Sequence, residues 1–264
     1  MSYLGTIAIC RQATVLARRC GTLHFSRASG RETLENQVVL RYATTMTIEI
    51  SRMPAESPGL SDLAYERLRD RIVRVEIPPG APLAEDRLSE EFGVGLTPIR
   101  NAVRRLSYEH LVSIYPRRGT FAADINIGDE RWLTEVRLEI EGLSAQLAAE
   151  RATEAERNKL LHLAEEIKTT TDNAGVTDLD AAFHRQIFLA ARNPFLESSA
   201  NLYFNLSLRI WYFCNQSFTI SDTRGADQYA VASAIARRDA QGARKAACEH
   251  LLNASRTLRG LLGA

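Results

Sequence analysis

Two groups of residues in this chain have types and spacings suited to chemistry. The first is a set of cations. Arg100, Asn101, Arg104 and Arg105 share one face of a candidate helix, and Arg117-Arg118-Gly119 follow in a candidate turn. Guanidinium groups at that density meet phosphates, and one alone can read a guanine by two hydrogen bonds, worth about 1–3 kcal/mol of base discrimination. Residues 92–122 hold five arginines and one acid, a local balance of +4, whereas residues 60–91 hold five arginines and eight acids, a balance of −3. Such an asymmetry is the electrostatic footprint of a surface that meets nucleic acid; a solvated basic helix face is the bland alternative. The second group is Asp180 and His184. Four apart on a helix, they project from one face about one turn apart, and on spacing alone they read as a hydrogen-bonded pair. Missing throughout are the marks of turnover: the sequence has no Gly-rich phosphate loop, no GxSxG and no HExxH.

The elements that must carry these residues are legible. Ser61 can cap a helix reaching about Val75, with Ala64, Leu68, Ile72 and Val75 as its apolar stripe. Ile77-Pro78-Pro79-Gly80 ends it, because proline lacks the backbone donor and disfavours helix in the residue before it. A second helix is predicted from about Glu85 to Phe92, carrying Arg87, and Gly93 closes it. Thr97 is a good N-cap with Pro98 at the first helical position, and Ile99, Ala102, Val103 and Leu106 fall at i, i+3, i+4 and i+7. Two short helices, a glycine turn and a third helix with a basic outer face describe a helix-turn-helix. Leu111–Tyr115 and Thr120–Ala123, joined through Pro116–Gly119, read as a hairpin wing.

From Ile127 onward the pattern is helical, with breaks near Asn173–Gly175, Asn193-Pro194 and Ser221–Gly225. Leu133, Val136, Ile140, Leu143 and Leu147 form one expected inner stripe; Leu160, Leu163, Ala164 and Ile167 the next; then Leu179, Phe183, Ile187 and Ala190. Residues 202–218 gather six aromatics, Tyr203, Phe204, Trp211, Tyr212, Phe213 and Phe218, which read mainly as core. Val231–Ile235 and Ala246–Leu258 supply two last helices. The fold class is therefore mainly α: a winged helix-turn-helix over 59–125 and an all-helical bundle over 128–260.

Composition fits that division. The chain has 264 residues, 45% hydrophobic and 25% charged, which suits two modest soluble domains. A formal net charge of +1 gives no bulk attraction to nucleic acid, so any contact with DNA must rest on local charge. No apolar run reaches the roughly 18 residues of a membrane span. Cys10, Cys20, Cys214 and Cys248 lack CxxC spacing and read as reduced thiols of a cytoplasmic protein. Residues 1–58 are expected to be a leader and linker. Up to Gly30 they contain no Asp or Glu but include Arg11, Arg18, Arg19 and Arg27, a composition shared with transit peptides. We read them as a disordered or untranslated leader, with translation starting at Met1 or Met46.

The amino-terminal residues resemble the GntR family of bacterial regulators. Pro79-Gly80, Leu83, Leu88-Ser89-Glu90, Gly93-Val94, Thr97-Pro98-Ile99-Arg100, Ala102-Val103, Leu106 and Arg118-Gly119-Thr120-Phe121 carry the likeness. It implies that Arg100 and its helix enter the major groove of double-stranded operator DNA and that the wing reaches the adjoining minor groove. Two departures from the family stand out: Gly95-Leu96 replace a Ser-Arg, which removes one expected DNA-contacting arginine, and His110 replaces a glycine. The remainder resembles the FCD-type ligand domain of the FadR subfamily, through Glu135-Val136-Arg137 with Glu141, Leu147-Ala148-Ala149, Asp180 with Phe183-His184, Asn193-Pro194, Ala234-Ile235 with Asp239, and Ala243 through His250-Leu251.

Many FCD domains hold a divalent metal with such an Asp and His plus two further histidines. The resemblance places His250 at one of those positions and Gln228 at the other, where a neutral carbonyl oxygen is the weaker donor. Zinc is the first candidate, nickel or manganese the next; a directly bound effector or a simple Asp–His pair are the alternatives. The resemblance also points Arg137 into the ligand pocket, where it would favour a small carboxylate; an exposed pair with Glu141 is the other reading. Arg209 is a further carboxylate candidate, and Trp211 or Tyr212 would border the cavity. The family implies a homodimer, in which an effector acid shifts the two DNA-reading heads with a coupling of about 1–3 kcal/mol. The expected function is a ligand-responsive transcriptional regulator, a repressor by family habit. The alternative is a metal-dependent enzyme domain fused to a DNA-binding module, which lacks a nucleophile or general base at a usable spacing.

Overall fold

Proline and glycine cut the first third of the chain into short pieces, and the structure follows those cuts. The computed structural model describes residues 59–215 and 225–262; the leader and Phe218 lie outside them. Helix α1 (Leu60–Val73) buries Ala64, Leu68 and Ile72 and ends one turn before the Pro78-Pro79 pair. Helix α2 (Glu85–Phe92) stops at Gly93, whose φ of 65° is left-handed, a conformation open to glycine at little cost. Helix α3 (Leu96–Tyr108) buries Ile99, Ala102, Val103 and Leu106 against α1 and α2. Neither expected cap is used. Gly59 and Gly95 occupy the N-cap positions, so Ser61 and Thr97 sit inside their first turns, and Pro98 still falls where no intrahelical donor is needed.

Strands β1 (Val112–Tyr115) and β2 (Gly119–Ala122) pair antiparallel, with Val112 opposite Ala122 and Tyr115 opposite Gly119. The segment just after Pro78-Pro79 joins them: Gly80 N–H donates to Ala122 O at 3.0 Å and Leu83 N–H to Thr120 O at 2.8 Å. The prolines thus end a helix and aim the chain along the wing, a role their breaking power alone does not announce.

Six helices follow: α4 (Glu130–Arg151), α5 (Glu154–Thr169), α6 (Asn173–Ala190), α7 (Pro194–Asn215), α8 (Ala226–Ala236) and α9 (Ala240–Leu262). Thr153 and Glu156 cap α5 reciprocally, and Asp172 caps α6. The stripe expected for α4 is corrected. Its buried positions are Thr134, Arg137, Glu141, Ser144, Ala145 and Ala148, while Val136 and Leu143 remain 39% and 37% exposed. The helix is turned so that polar side chains face inward. Small residues permit that: a Cβ at Gly142 would lie 2.9 Å from Cys248 Sγ on α9, so the two helices approach too closely for a larger side chain there. The stripes expected on α5 and α6 hold, with Leu160, Ala164 and Ile167, and Phe183, Ile187 and Ala190, all buried.

Candidate metal and effector centre and DNA-facing surface

Five helices converge on one cavity of about 140 Å³, bordered by Arg137 of α4, Asp180 and His184 of α6, Trp211 of α7, Gln228 of α8 and His250 of α9. On the measure used for buried water that is room for roughly ten solvent molecules, enough for a small metabolite. Donor atoms of Asp180, His184 and His250 all lie within 4.8 Å of one another. His184 Nε2 stands 3.2 Å from His250 Nε2 and 3.7 Å from Asp180 Oδ2. Two imidazole nitrogens on one tetrahedral zinc would stand about 3.3 Å apart, given the usual zinc–nitrogen length. The donor set therefore fits a divalent ion.

His184 is held from behind. His184 Nδ1 lies 2.7 Å from Glu141 Oε2, which leaves Nε2 free to turn a lone pair into the cavity. Phe204 stacks on the same imidazole with centroids 4.7 Å apart. Burial on its own would raise the Glu141 carboxyl, yet the Arg137 guanidinium and His184 bring it down to about 2. Burial lowers His250, with Asp180 opposing and His184 assisting, so the ring is neutral and able to donate near pH 7. Glu141 is the residue that sequence reasoning missed as a support for His184; its spacing from Arg137 was the available signal.

Gln228 does not point its oxygen inward. Gln228 Oε1 accepts the Gly225 N–H at 3.1 Å, and Gln228 Nε2 donates to Asp180 Oδ1 at 2.8 Å. The amide steadies Asp180 in place of offering a fourth ligand atom.

Arg137 is buried, so its reading as an exposed pair is corrected. Its Nε donates to Glu141 and Nη1 to Ser207 Oγ at 2.6 Å, with the guanidinium carbon 5.3 Å from the Phe204 centroid. Trp211 borders the cavity as expected, but Tyr212 and Arg209 do not. On α7 they fall on the face turned toward the helix-turn-helix. Tyr212 OH donates to Asp178, which also pairs with Arg74 of α1 at 2.8 Å. Arg209 Nη2 donates to Ala123 O at 2.6 Å, and burial pushes its guanidinium down to about 10.

The basic residues of the helix-turn-helix lie at the surface. Arg87, Thr97, Arg100, Asn101, Arg104, Arg117, Arg118 and Gly119 are all exposed. Arg100 Nε donates to Glu85 Oε2 at 2.9 Å, an exposed pair of small net worth that a phosphate or base can displace. Asn101 Nδ2 reaches Ser61 Oγ at 3.4 Å, and Arg118 lies 5.7 Å from the Tyr115 ring centre. Arg105 is exposed as well but already engaged. Its guanidinium sits 3.6 Å from the Tyr65 ring centre and near Asp62 and Glu109, so it binds α3 to α1.

Comparison with known proteins decides the lineage. The model of the bacterial regulatory proteins of the gntR family matches residues 60–122, and that of the FCD domain matches residues 132–253. YieP, an HTH-type transcriptional regulator of Escherichia coli (strain K12), is 30% identical over 222 residues, covering 75% of this chain and 94% of YieP. The chain belongs to the GntR family. This GntR chain is also 26% identical over 218 residues to RspR, an HTH-type transcriptional repressor of the same strain, covering 81% of the chain and 94% of RspR. The solved structure of E. coli McbR/YncC shares its fold, with a TM-score of 0.65 at 18% identity over 76% of this chain and 98% of that one. The GntR chain is thus a DNA-binding transcriptional regulator carrying an FCD domain, and the enzyme alternative is set aside because its relatives are regulators. Among the described residues no helix is long and apolar enough to cross a membrane.

Proposed function

We propose that this regulator is a metal-dependent repressor of the cytoplasm that senses a small carboxylate. The convergence of Asp180, His184 and His250 beside a buried arginine carries the reading. Those three residues would hold the divalent ion, zinc before nickel or manganese, and the ion would supply positive charge for a ligand oxygen. Glu141 orients His184, Gln228 steadies Asp180, and Arg137 offers a guanidinium already fixed by Glu141 and Ser207 to the effector's carboxylate. Trp211 closes one wall. In this reading residues 59–125 form the DNA domain, with Arg87, Thr97, Arg100, Asn101, Arg104, Arg117, Arg118 and Gly119 at the duplex, and residues 128–260 form the sensing domain. RspR, a relative, is a repressor, which supports that sign of regulation. Two copies are needed to read a two-fold operator. Trp132, Val136 and Leu143 share one exposed apolar face of α4, which supports pairing with a second copy of the chain there.

The test has two arms. Zinc titrated calorimetrically into metal-stripped protein should bind one ion per chain, and His184→Ala should abolish that heat; equal binding in the variant would remove the metal site. An operator selected from random duplexes should lose about 5–150-fold in affinity with Arg100→Ala at unchanged melting temperature, since a lost base contact is worth about 1–3 kcal/mol. Wild-type affinity in that variant would displace α3 as the reading helix.

A further inference from the structure

A second cavity, of about 250 Å³, opens between α1 and the α6–α7 pair. Its wall carries three guanidinium groups, Arg69, Arg74 and Arg185, with the carboxylates of Asp70 and Asp178 and the hydroxyl of Tyr212. Two of the cations are neutralised locally: Arg69 lies 2.7 Å from Asp70 and Arg74 2.8 Å from Asp178. Arg185 is not. Its donors reach only the neutral side-chain oxygens of Asn205 at 3.0 Å and Asn201 at 3.3 Å, and its guanidinium lies 5.9 Å from the Phe204 ring centre. Amide oxygens satisfy hydrogen-bond geometry without cancelling charge. Among the described residues no carboxylate is in ion-pair contact with this half-buried cation, which leaves it open to an anion at the wall of a polar cavity.

We infer that this cavity takes a phosphate group, either inorganic phosphate or the phosphomonoester of a metabolite, with Arg185 as its main partner. Arg69 comes from α1, Arg74 from the cap at its C-terminal end and Arg185 from α6 on the opposite side of the opening, so their donors arrive from different directions. That arrangement suits the four tetrahedral oxygens of phosphate better than a planar carboxylate, which one guanidinium serves from a single side. The five charged side chains on the wall sum to +1, so a dianion outweighs them and competes with Asp178 for Arg74. Occupancy therefore bears on the contact between α1 and the helical bundle. The site is separate from the Asp180–His184–His250 cavity and does not depend on the function proposed for it, although Arg185 and His184 are neighbours on α6 and both contact Phe204.

The experiment uses the full chain in phosphate-free buffer. Inorganic phosphate and methyl phosphate are titrated by calorimetry and by thermal unfolding, with chloride and acetate at matched ionic strength as controls. At ten times its dissociation constant, phosphate should raise the melting temperature by about 3–5 °C. Arg185→Gln should remove that rise and Arg185→Lys should keep part of it. His184→Ala should leave it intact, which separates this site from the metal cavity. A tighter fit for inorganic phosphate identifies the free ion as the source, and a tighter fit for methyl phosphate identifies an ester. An equal rise with chloride, or a full rise in Arg185→Gln, overturns the proposal. Should Arg185→Gln fail to fold, Arg69→Gln replaces it, with loss of the rise expected and a full rise overturning the proposal.

Discussion

Arg74, in the last turn before the wing segment, is bound to Asp178 at 2.8 Å, and Asp178 stands two residues from Asp180 on the same helix. One face of α6 thus touches the helix-turn-helix while the next lines the Asp180–His184–His250 cavity. Asp178→Asn should uncouple them. We expect wild-type operator affinity to change about 5–150-fold when saturating zinc is added, the range typical of coupled sites, and the variant to show a ratio close to one. Fluorescence anisotropy with the selected operator measures both ratios, and an unaltered ratio in Asp178→Asn means the coupling travels elsewhere.

Acid should loosen the metal-free protein in two steps of the same sign. Burial holds folded His250 below its ordinary value, so the unfolded chain takes that proton first, near pH 6.5, and stability falls as the pH drops below it. Folded Glu141 titrates near 2 against 4.5 for the unfolded group, so a second loss runs from about pH 4.5 down to about 2. Urea unfolding with a chelator present should show a midpoint that is flat above pH 7, declines below 6.5 and declines faster below 4.5.

Glu141→Gln should cost about 3–5 kcal/mol at pH 7, because Arg137 is then left buried without its charge partner. The same substitution should erase the lower of the two acid steps. A loss under about 1 kcal/mol in urea unfolding would show that Ser207 and the Phe204 ring suffice to hold the guanidinium.

Gln228→His should tighten zinc binding by about tenfold or more, by adding an imidazole where an amide now braces Asp180. Competition with a chromophoric chelator reads the change directly. No gain would mean that position 228 on α8 cannot turn a ring toward the other three residues.

His110→Gly should stabilise the helix-turn-helix. The histidine occupies a left-handed backbone at φ 61°, strained by about 1 kcal/mol for a residue with a Cβ. Glycine relieves that strain but adds freedom to the unfolded chain, so the net gain expected is at most about 0.6 kcal/mol, or about 1–2 °C in melting temperature. A lower melting temperature would show that the imidazole makes up for its backbone.

The sequence announces some of these features better than others, for physical reasons. The helix-turn-helix was readable because Gly93, Pro98 and the run Ile99–Leu106 act locally, each through its own backbone geometry or helical period. The inward face of α4 was not. Apolar spacing selects Val136 and Leu143, whereas tertiary contact with α9 at Gly142 turns Arg137 and Glu141 inward. Long-range pairing is equally silent in a one-dimensional pattern, and the 3.0 Å bond from Gly80 to Ala122, which ties the proline segment to the edge of the wing, has no local signature. Arg209 and Tyr212 were placed at the ligand by their neighbourhood in the chain, although one residue along a helix is a turn of about 100°.

That last geometry bears on anyone who would build hybrids of these regulators. Tyr212 and Arg209 are joined to Asp178, Arg74 and the carbonyl of Ala123, so the seam between reader and sensor runs through the C-terminal part of α7 as well as through the connecting segment. A chimaera spliced only at residues 123–127 would inherit the donor's appetite for its ligand together with a mismatched hinge, and would bind both molecules while reporting neither to the other.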